Sequence, residues 1–345
     1  MTIYSPPYLP PQFLRDGIVQ TVFSSYWYGK TWERWREQVW WLKGYGSIPW
    51  QQKVFTGAEN VPLWGKWACP PNARGTIILN YGITGDTEKS WYAYVTAYKA
   101  YAQGWAVLLY DWRGHGKTAE LSPVPTSDGW REGADQVLLA EQLVALGCPP
   151  KVVLVGFSLG GQLALWGLKE AVKSDLIRGG AVLAPNLESN RSLDYLVSYP
   201  FGRLVEGNFT KELIAEAQRK AHCFPDAVSD GAASRIDSIR SFDREMVIDY
   251  YGFSSVTEYY HLTGGLYLLD RLTLPYLVVY AADDPIFDPS LVPEIQSRIA
   301  SNAQGHLLLT DSGGHVSHVA QKSKGEDQFW GINRLLDFIA TALLP

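Results

Sequence analysis

Ser158 stands at the centre of Gly156-Phe157-Ser158-Leu159-Gly160, and that spacing points to one kind of chemistry. A serine at the tip of a sharp turn, with glycine two positions to either side, is held in strained dihedrals where the chain passes close to itself. A hydroxyl displayed in this way can attack a carbonyl carbon. It needs a base to take its proton and an acid to orient that base. The surroundings fit such a turn. Val152-Val153-Leu154-Val155 before it reads as a strand, and Gly161-Gln162-Leu163-Ala164-Leu165-Trp166 behind it reads as a helix.

On an α/β sheet carrying this turn, the partners follow in the order serine, acid, histidine. The late apolar run 276–280 leads into Ala281-Ala282-Asp283-Asp284-Pro285-Ile286-Phe287. Asp284, directly before the short apolar turn, is the expected orienting acid, with Asp283 as its alternative. The run 306–310 leads into Asp311-Ser312-Gly313-Gly314-His315-Val316-Ser317-His318. The glycine pair lets this loop swing His315 back over the sheet. His315 is the expected base and His318 its local competitor. His306 begins a strand and reads as structural, while His115, His222 and His261 fall outside the order. Asp111-Trp112-Arg113-Gly114-His115-Gly116 also holds an acid and a histidine, but too early in the chain. Asp111 and Arg113 read as loop-fixing groups.

Acyl transfer further needs donors for the developing oxyanion. The backbone N–H of Leu159, at a helix start, is one candidate. The backbone N–H of Ile83, in the loop Tyr81-Gly82-Ile83-Thr84-Gly85-Asp86, is the other. No H-E-x-x-H or comparable ligand spacing is present, nor a G-x-G-x-x-G or Walker-type loop. The expected chemistry therefore requires no metal and no cofactor.

Short apolar runs at 75–81, 106–110, 152–157, 180–184, 276–280 and 306–310 read as strands buried on both faces. Helical patterns at 88–102, 132–146, 160–173 and 326–343 alternate with them, which predicts a mostly parallel, doubly wound sheet. The alternation breaks at 186–274, where helical patterns at 211–221 and 243–251 come with many aromatics. This segment is expected to form a helical cap over the site. Residues 1–50 are expected to form an aromatic-rich arm, leaving 51–185 and 275–345 as the core. In the arm Tyr28, Trp32, Trp35, Val39 and Leu42 recur at helical spacing, with charges of both signs between them. Packing of that stripe on the core is the favoured reading, and peripheral contact with a membrane the other.

The chain has 345 residues, a net charge of -5 and 14 tryptophans. The acidic balance, without a Lys/Arg block, argues against nucleic acid as a partner. Cys69, Cys148 and Cys223 are widely spaced and read as unpaired thiols of a reducing, cytoplasmic setting. The first residues carry no basic n-region or apolar h-region, so no secretory signal is expected. No stretch is apolar enough to span a bilayer.

Several segments together resemble the YheT-like group of α/β hydrolases, bacterial relatives of the eukaryotic α/β-hydrolase-domain lipases and esterases. They are Phe13 to Thr21, the loop Gly82-Ile83-Thr84-Gly85, the elbow itself, Ser241-Phe242-Asp243 with Tyr250-Tyr251-Gly252-Phe253 and Glu258-Tyr259-Tyr260, and the acid and histidine loops. The resemblance implies an α/β-hydrolase fold, with Ser158 as nucleophile, Asp284 as orienting acid and His315 as base. It implies hydrolysis of carboxylic esters and, in some relatives, release of medium-chain or oxidised acyl chains from phospholipids. The chain departs from the group's pattern at Tyr81 and Tyr251, where the group has histidine. The expected partner is a small-molecule ester with an apolar acyl chain, because an aromatic-rich cap would line an apolar site. An acyltransferase using the same acyl-enzyme, and a non-catalytic binding protein on the same scaffold, are the alternatives.

Overall fold

Eight strands form one sheet in the computed structural model, which describes residues 6–35, 44–323 and 325–343. They are β1 (Gln51–Thr56), β2 (Pro62–Ala68), β3 (Thr76–Asn80), β4 (Ala106–Tyr110), β5 (Val152–Phe157), β6 (Ile177–Leu183), β7 (Tyr276–Ala281) and β8 (Gly305–Thr310). Their spatial order is β1-β2-β4-β3-β5-β6-β7-β8. β2 pairs antiparallel with both β1 and β4, and all other neighbours are parallel. The six apolar runs are six of these strands. Every side chain of β3, β4, β5 and β7 is buried, which is why they read as unbroken apolar runs.

The sequence reading missed β1 and β2. β1 is an edge strand that buries only Phe55, so it carries no apolar run. In β2 the run is broken by Gly65 and Lys66. The parallel strands are linked by helices that include Trp91–Ala102, Glu132–Ala145 and Leu159–Glu170. The chain leaves β3 towards β4 on one side and leaves the neighbouring β5 towards β6 on the other. The crevice at the C-terminal ends of β3 and β5 is thus a topological switch point, where α/β sheets bind ligands.

Between β6 and β7 the chain runs through helices Ser189–Ser198, Pro200–Cys223, Ile239–Met246 and Val256–Thr263. Pro200 opens the 24-residue helix, at a position whose N–H has no helical partner to lose. Ser238 and Ser241 form a capping box at the start of Ile239–Met246. Ile239, Phe242 and Met246 recur on one face of that helix and join a separate apolar cluster with Leu213, Tyr259 and Tyr260.

The N-terminal helix starts well before the expected stripe. Asp16 caps Gly17–Phe23 by accepting from the Val19 N–H at 2.9 Å. A π-helical stretch, Ser24–Lys30, then leads into Thr31–Trp35. Tyr28 packs on Trp91 and Phe329, and Trp32 on Tyr94. Tyr26 and Trp27 stay exposed, as does Phe13 in the short turn Gln12–Leu14 before it, so this helix has one packed and one open aromatic face. Val39, Trp40, Trp41 and Leu42 lie outside the described residues.

Candidate active site

β5 ends in the turn that displays Ser158. Its φ of 55° and ψ of -127° are costly for any residue but glycine. A Cβ on Gly156 would come within 2.1 Å of the Gly160 carbonyl oxygen, and one on Gly160 within 2.2 Å of the Tyr81 carbonyl oxygen. Only glycine lets the turn close this tightly. Leu159–Glu170 begins immediately behind the serine, so the helix's free N–H groups and positive end face it.

The pairing of Asn80 with Gly156 brings the loop after β3 alongside the elbow. A Cβ on Gly82 would lie 2.9 Å from the Ser158 Cβ, so glycine is required for the approach. The Gly82 N–H donates to the Tyr92 hydroxyl at 2.9 Å. The Tyr81 hydroxyl donates to Asp111 Oδ1 at 2.9 Å, which also accepts from the Thr87 N–H at 2.7 Å. The Lys117 N–H donates to the other Asp111 oxygen at 2.9 Å. Burial pushes the Asp111 carboxyl up to about 6 against the pull of these hydrogen bonds. Tyr81, where the related group has histidine, thus fastens the loop through Asp111. Arg113 is buried and forks onto Asp135 at 2.8 and 2.9 Å. Ile83 and Leu159 line the cavity beside Ser158.

β7 and β8 are paired through Ala281 and Thr310, so the loops that follow them emerge side by side. His315 Nε2 lies 2.9 Å from Ser158 Oγ, and its Nδ1 lies 2.8 Å from Asp284 Oδ2. Asp284 Oδ1 accepts from the Ile286 N–H at 2.9 Å. Phe287 meets the imidazole edge-on, with centroids 5.0 Å apart. The two local competitors are used otherwise. Asp283 Oδ1 accepts from the Gly314 N–H at 3.0 Å. His318 is fully buried, with Nε2 3.0 Å from Thr310 Oγ1 and its ring stacked on Trp330. Burial pushes its pKa down to about 4. Of the remaining histidines, His306 packs on Phe338, His222 and His261 are exposed, and His115 lines the cavity.

Residues from the arm support the histidine loop, and the sequence reading gave none of them this task. The His315 N–H donates to Thr21 Oγ1 at 2.8 Å, and that hydroxyl donates to the Gly17 carbonyl at 2.7 Å. Gln20 Oε1 accepts from the Val319 N–H at 2.6 Å. Thr21 and Gln20 fall in the N-terminal segment that carried part of the family resemblance, which was the available signal. Tyr92 had none.

Over Ser158 lies a cavity. Leu193, Leu196, Phe209, Leu213 and Phe242 bound it from the helices between β6 and β7. Among the described residues no cluster of His, Cys, Asp and Glu could hold a metal, and no helix is long and apolar enough to cross a membrane. Chemically, the arrangement lets a hydroxyl proton pass to an imidazole whose other nitrogen is held by a carboxylate.

A mostly parallel eight-stranded sheet with a serine at the turn after its central strand β5 is the architecture of α/β hydrolases. Comparison with known proteins agrees. Residues 82–324 match the model of the alpha/beta hydrolase family. The Synechocystis protein slr0264, which carries an esterase name, is 36% identical over 359 residues, spanning 97% of this chain and 94% of its own. YheT of Escherichia coli, also named as an esterase, is 26% identical over 85% of each chain. The monoacylglycerol lipase of Saccharomyces cerevisiae is 22% identical over 80% of this chain and 63% of its own. Among solved structures, the Pyrococcus furiosus esterase Pf2001 superposes with a TM-score of 0.54 at 19% identity, covering 78% of this chain and 84% of that one, and so shares the fold. The chain belongs to the α/β hydrolase family and is an esterase-type enzyme.

Proposed function

We propose that the enzyme cleaves carboxylic esters through an acyl-enzyme formed on Ser158. The observation that carries this reading is the hydrogen-bonded row of Ser158 Oγ, His315 and Asp284, with links of 2.9 and 2.8 Å. Ser158 Oγ attacks the ester carbonyl as its proton passes to His315 Nε2. The negative charge gathers on the carbonyl oxygen, where the Leu159 and Ile83 N–H groups stabilise it. The C–O bond to the alcohol then breaks and His315 returns the proton to the leaving oxygen. Water next attacks the acyl carbon, giving its proton to the same nitrogen. Collapse releases the carboxylic acid and restores the serine. Asp284 stays charged throughout and holds the Nδ1–H tautomer.

Residues 186–274 act as the cap in this reading, 1–50 as the arm, and 51–185 with 275–345 as the catalytic core. The aliphatic and aromatic wall supplied by the cap favours an apolar acyl chain, because burying such a chain is favourable at about 25 cal/mol per Å². The open face of the arm, with Phe13, Tyr26 and Trp27 exposed, suits contact with a lipid surface from which such an ester is drawn.

The decisive test is Ser158→Ala. By analogy with serine proteases it should lose about 10⁶-fold in turnover. A fluorophosphonate should label the parent at Ser158 and leave the variant unlabelled. Hydrolysis of p-nitrophenyl butyrate by the variant at the parent's rate would overturn the assignment.

A further inference from the structure

Tyr92 is not among the residues that line the cavity, yet it holds the loop that faces the nucleophile. It sits in the first turn of the helix Trp91–Ala102. Its ring packs on Phe157, the residue before Ser158, with centroids 4.9 Å apart. Phe157 is fully buried, so the ring has a fixed support. From there the Tyr92 hydroxyl accepts from the Gly82 N–H at 2.9 Å. Burial pushes the phenol up from its ordinary value, so it meets that N–H as a neutral hydroxyl.

Gly82 needs such a hold. Its missing side chain is what admits the loop to Ser158, since an added Cβ would lie 2.9 Å from the Ser158 Cβ and 3.3 Å from its Oγ. The same lack leaves the glycine free to turn about φ and ψ. Those two rotations set the direction of the next peptide, which carries the Ile83 N–H. Hydrogen bonds fix the glycine on both sides. The Tyr92 hydroxyl holds its N–H, and the Gly85 N–H donates to its carbonyl oxygen at 3.2 Å. In a planar trans peptide the carbonyl and the following N–H point in opposite directions, so holding the Gly82 carbonyl also aims the Ile83 N–H. Thr84, at a φ of 58°, completes the tight turn from 82 to 85. Without the Tyr92 hydroxyl that turn keeps its own hydrogen bond but pivots as a unit about Gly82.

We infer that Tyr92 is a positioning residue for the reaction proposed above, its hydroxyl setting the loop 82–85 so that the Ile83 N–H meets the oxyanion. This rests on the acyl-enzyme reading, with the Ile83 and Leu159 N–H groups as donors. Such donors stabilise the developing charge well only when they are aimed before it forms. The Leu159 N–H is aimed by the helix it begins, whereas the Ile83 N–H sits in a loop that turns on a glycine. Tyr92 acts through that loop. Its removal should therefore cost less than the about 100- to 1,000-fold that follows loss of a whole donor.

The test compares p-nitrophenyl butyrate with its thiono counterpart, in which sulfur replaces the carbonyl oxygen. Sulfur is larger and accepts hydrogen bonds weakly, so donors placed for oxygen do little for it. Tyr92→Phe keeps the ring on Phe157 and removes the hydroxyl. It should lower kcat for the oxygen ester about tenfold, leave KM nearly unchanged and alter the thiono rate little. The ratio of the two rates then falls about tenfold. Loss of folded enzyme lowers both rates equally and leaves that ratio where it was. Damage to the base does the same, and Thr21→Val serves as that control. Tyr92→Leu is read in the same way should the phenylalanine variant not fold. A ratio within twofold of the parent's overturns the role of Tyr92 and leaves the acyl-enzyme reading standing. A parent that turns over neither ester and takes no fluorophosphonate at Ser158 removes that reading, and the role of Tyr92 with it.

Discussion

Thr21→Val tests whether the arm governs the chemistry at a site far along the chain. Valine keeps the shape and β-branching of threonine, so the helix and the local packing are preserved. What goes is one oxygen that accepts from the His315 N–H at 2.8 Å and donates to the Gly17 carbonyl at 2.7 Å. Thr21 is buried, so water does not readily replace it. Leaving a buried N–H unpaired costs about 1–3 kcal/mol. If the loop relaxes to relieve that cost, the imidazole leaves its position between Ser158 and Asp284. The same free energy then appears in the barrier, as a fall in kcat of about 5- to 150-fold. KM should change little, because Thr21 does not line the cavity. Fluorophosphonate labelling of Ser158 should slow in proportion, since it needs the same base. Thr21→Ser keeps the oxygen and should restore most of the rate. Steady-state hydrolysis of p-nitrophenyl butyrate and labelling kinetics read both quantities. Thr21→Val turning over within twofold of Thr21→Ser would refute the positioning argument.

Three further outcomes follow from other parts of the molecule. Leu196→Trp, which fills the cavity from the helix Ser189–Ser198, should abolish turnover of long acyl esters while sparing acetate. Equal losses at all chain lengths would show that acyl chains do not occupy that space. Asp243 has a native pKa raised by burial to about 7, so the folded state keeps a proton that the unfolded chain releases above about 4. Its contribution is greatest below that lower value and is lost as pH rises towards 7, by the linkage between proton uptake and stability. Asp243→Asn should therefore flatten the fall in the denaturant midpoint between pH 4 and 7, and an unchanged pH profile would contradict this. Replacing Phe13, Tyr26 and Trp27 together by serine should reduce co-sedimentation with phosphatidylcholine vesicles without changing hydrolysis of a water-soluble ester. Undiminished vesicle binding would leave the open face of the arm without that role.

What could be read in advance was whatever local geometry dictates. The demand for glycine at 156 and 160 is imposed by a turn of five residues, so it shows in the sequence as a motif. Asp284 and His315 stand out in the sequence because each follows an apolar run and the chain order restricts the choice, and the structure sets both in one hydrogen-bonded row with Ser158. Between Asp283 and Asp284 the preference rested on the turn that follows, and the structure brings Asp284 to the imidazole while Asp283 braces the loop. Contacts created by tertiary packing left no such trace. Tyr92 meets Gly82 only because the helix after β3 folds back beside the loop. His115 fell outside the serine–acid–histidine order, and nothing local marks a histidine whose ring will face a cavity. β1 escaped because an edge strand buries one side chain in six and shows no apolar run.

The hydrogen bond between Thr21 and His315 also has a consequence in time. Its two ends are 294 residues apart. At about 5–20 residues per second, a ribosome delivers the second roughly 15 to 60 seconds after the first. During that interval the aromatic helix has emerged without the loop it will brace, and the serine at its turn has no imidazole. The bond can therefore close only after every residue between its two ends has been made, and the helix must hold its shape until then without that contact.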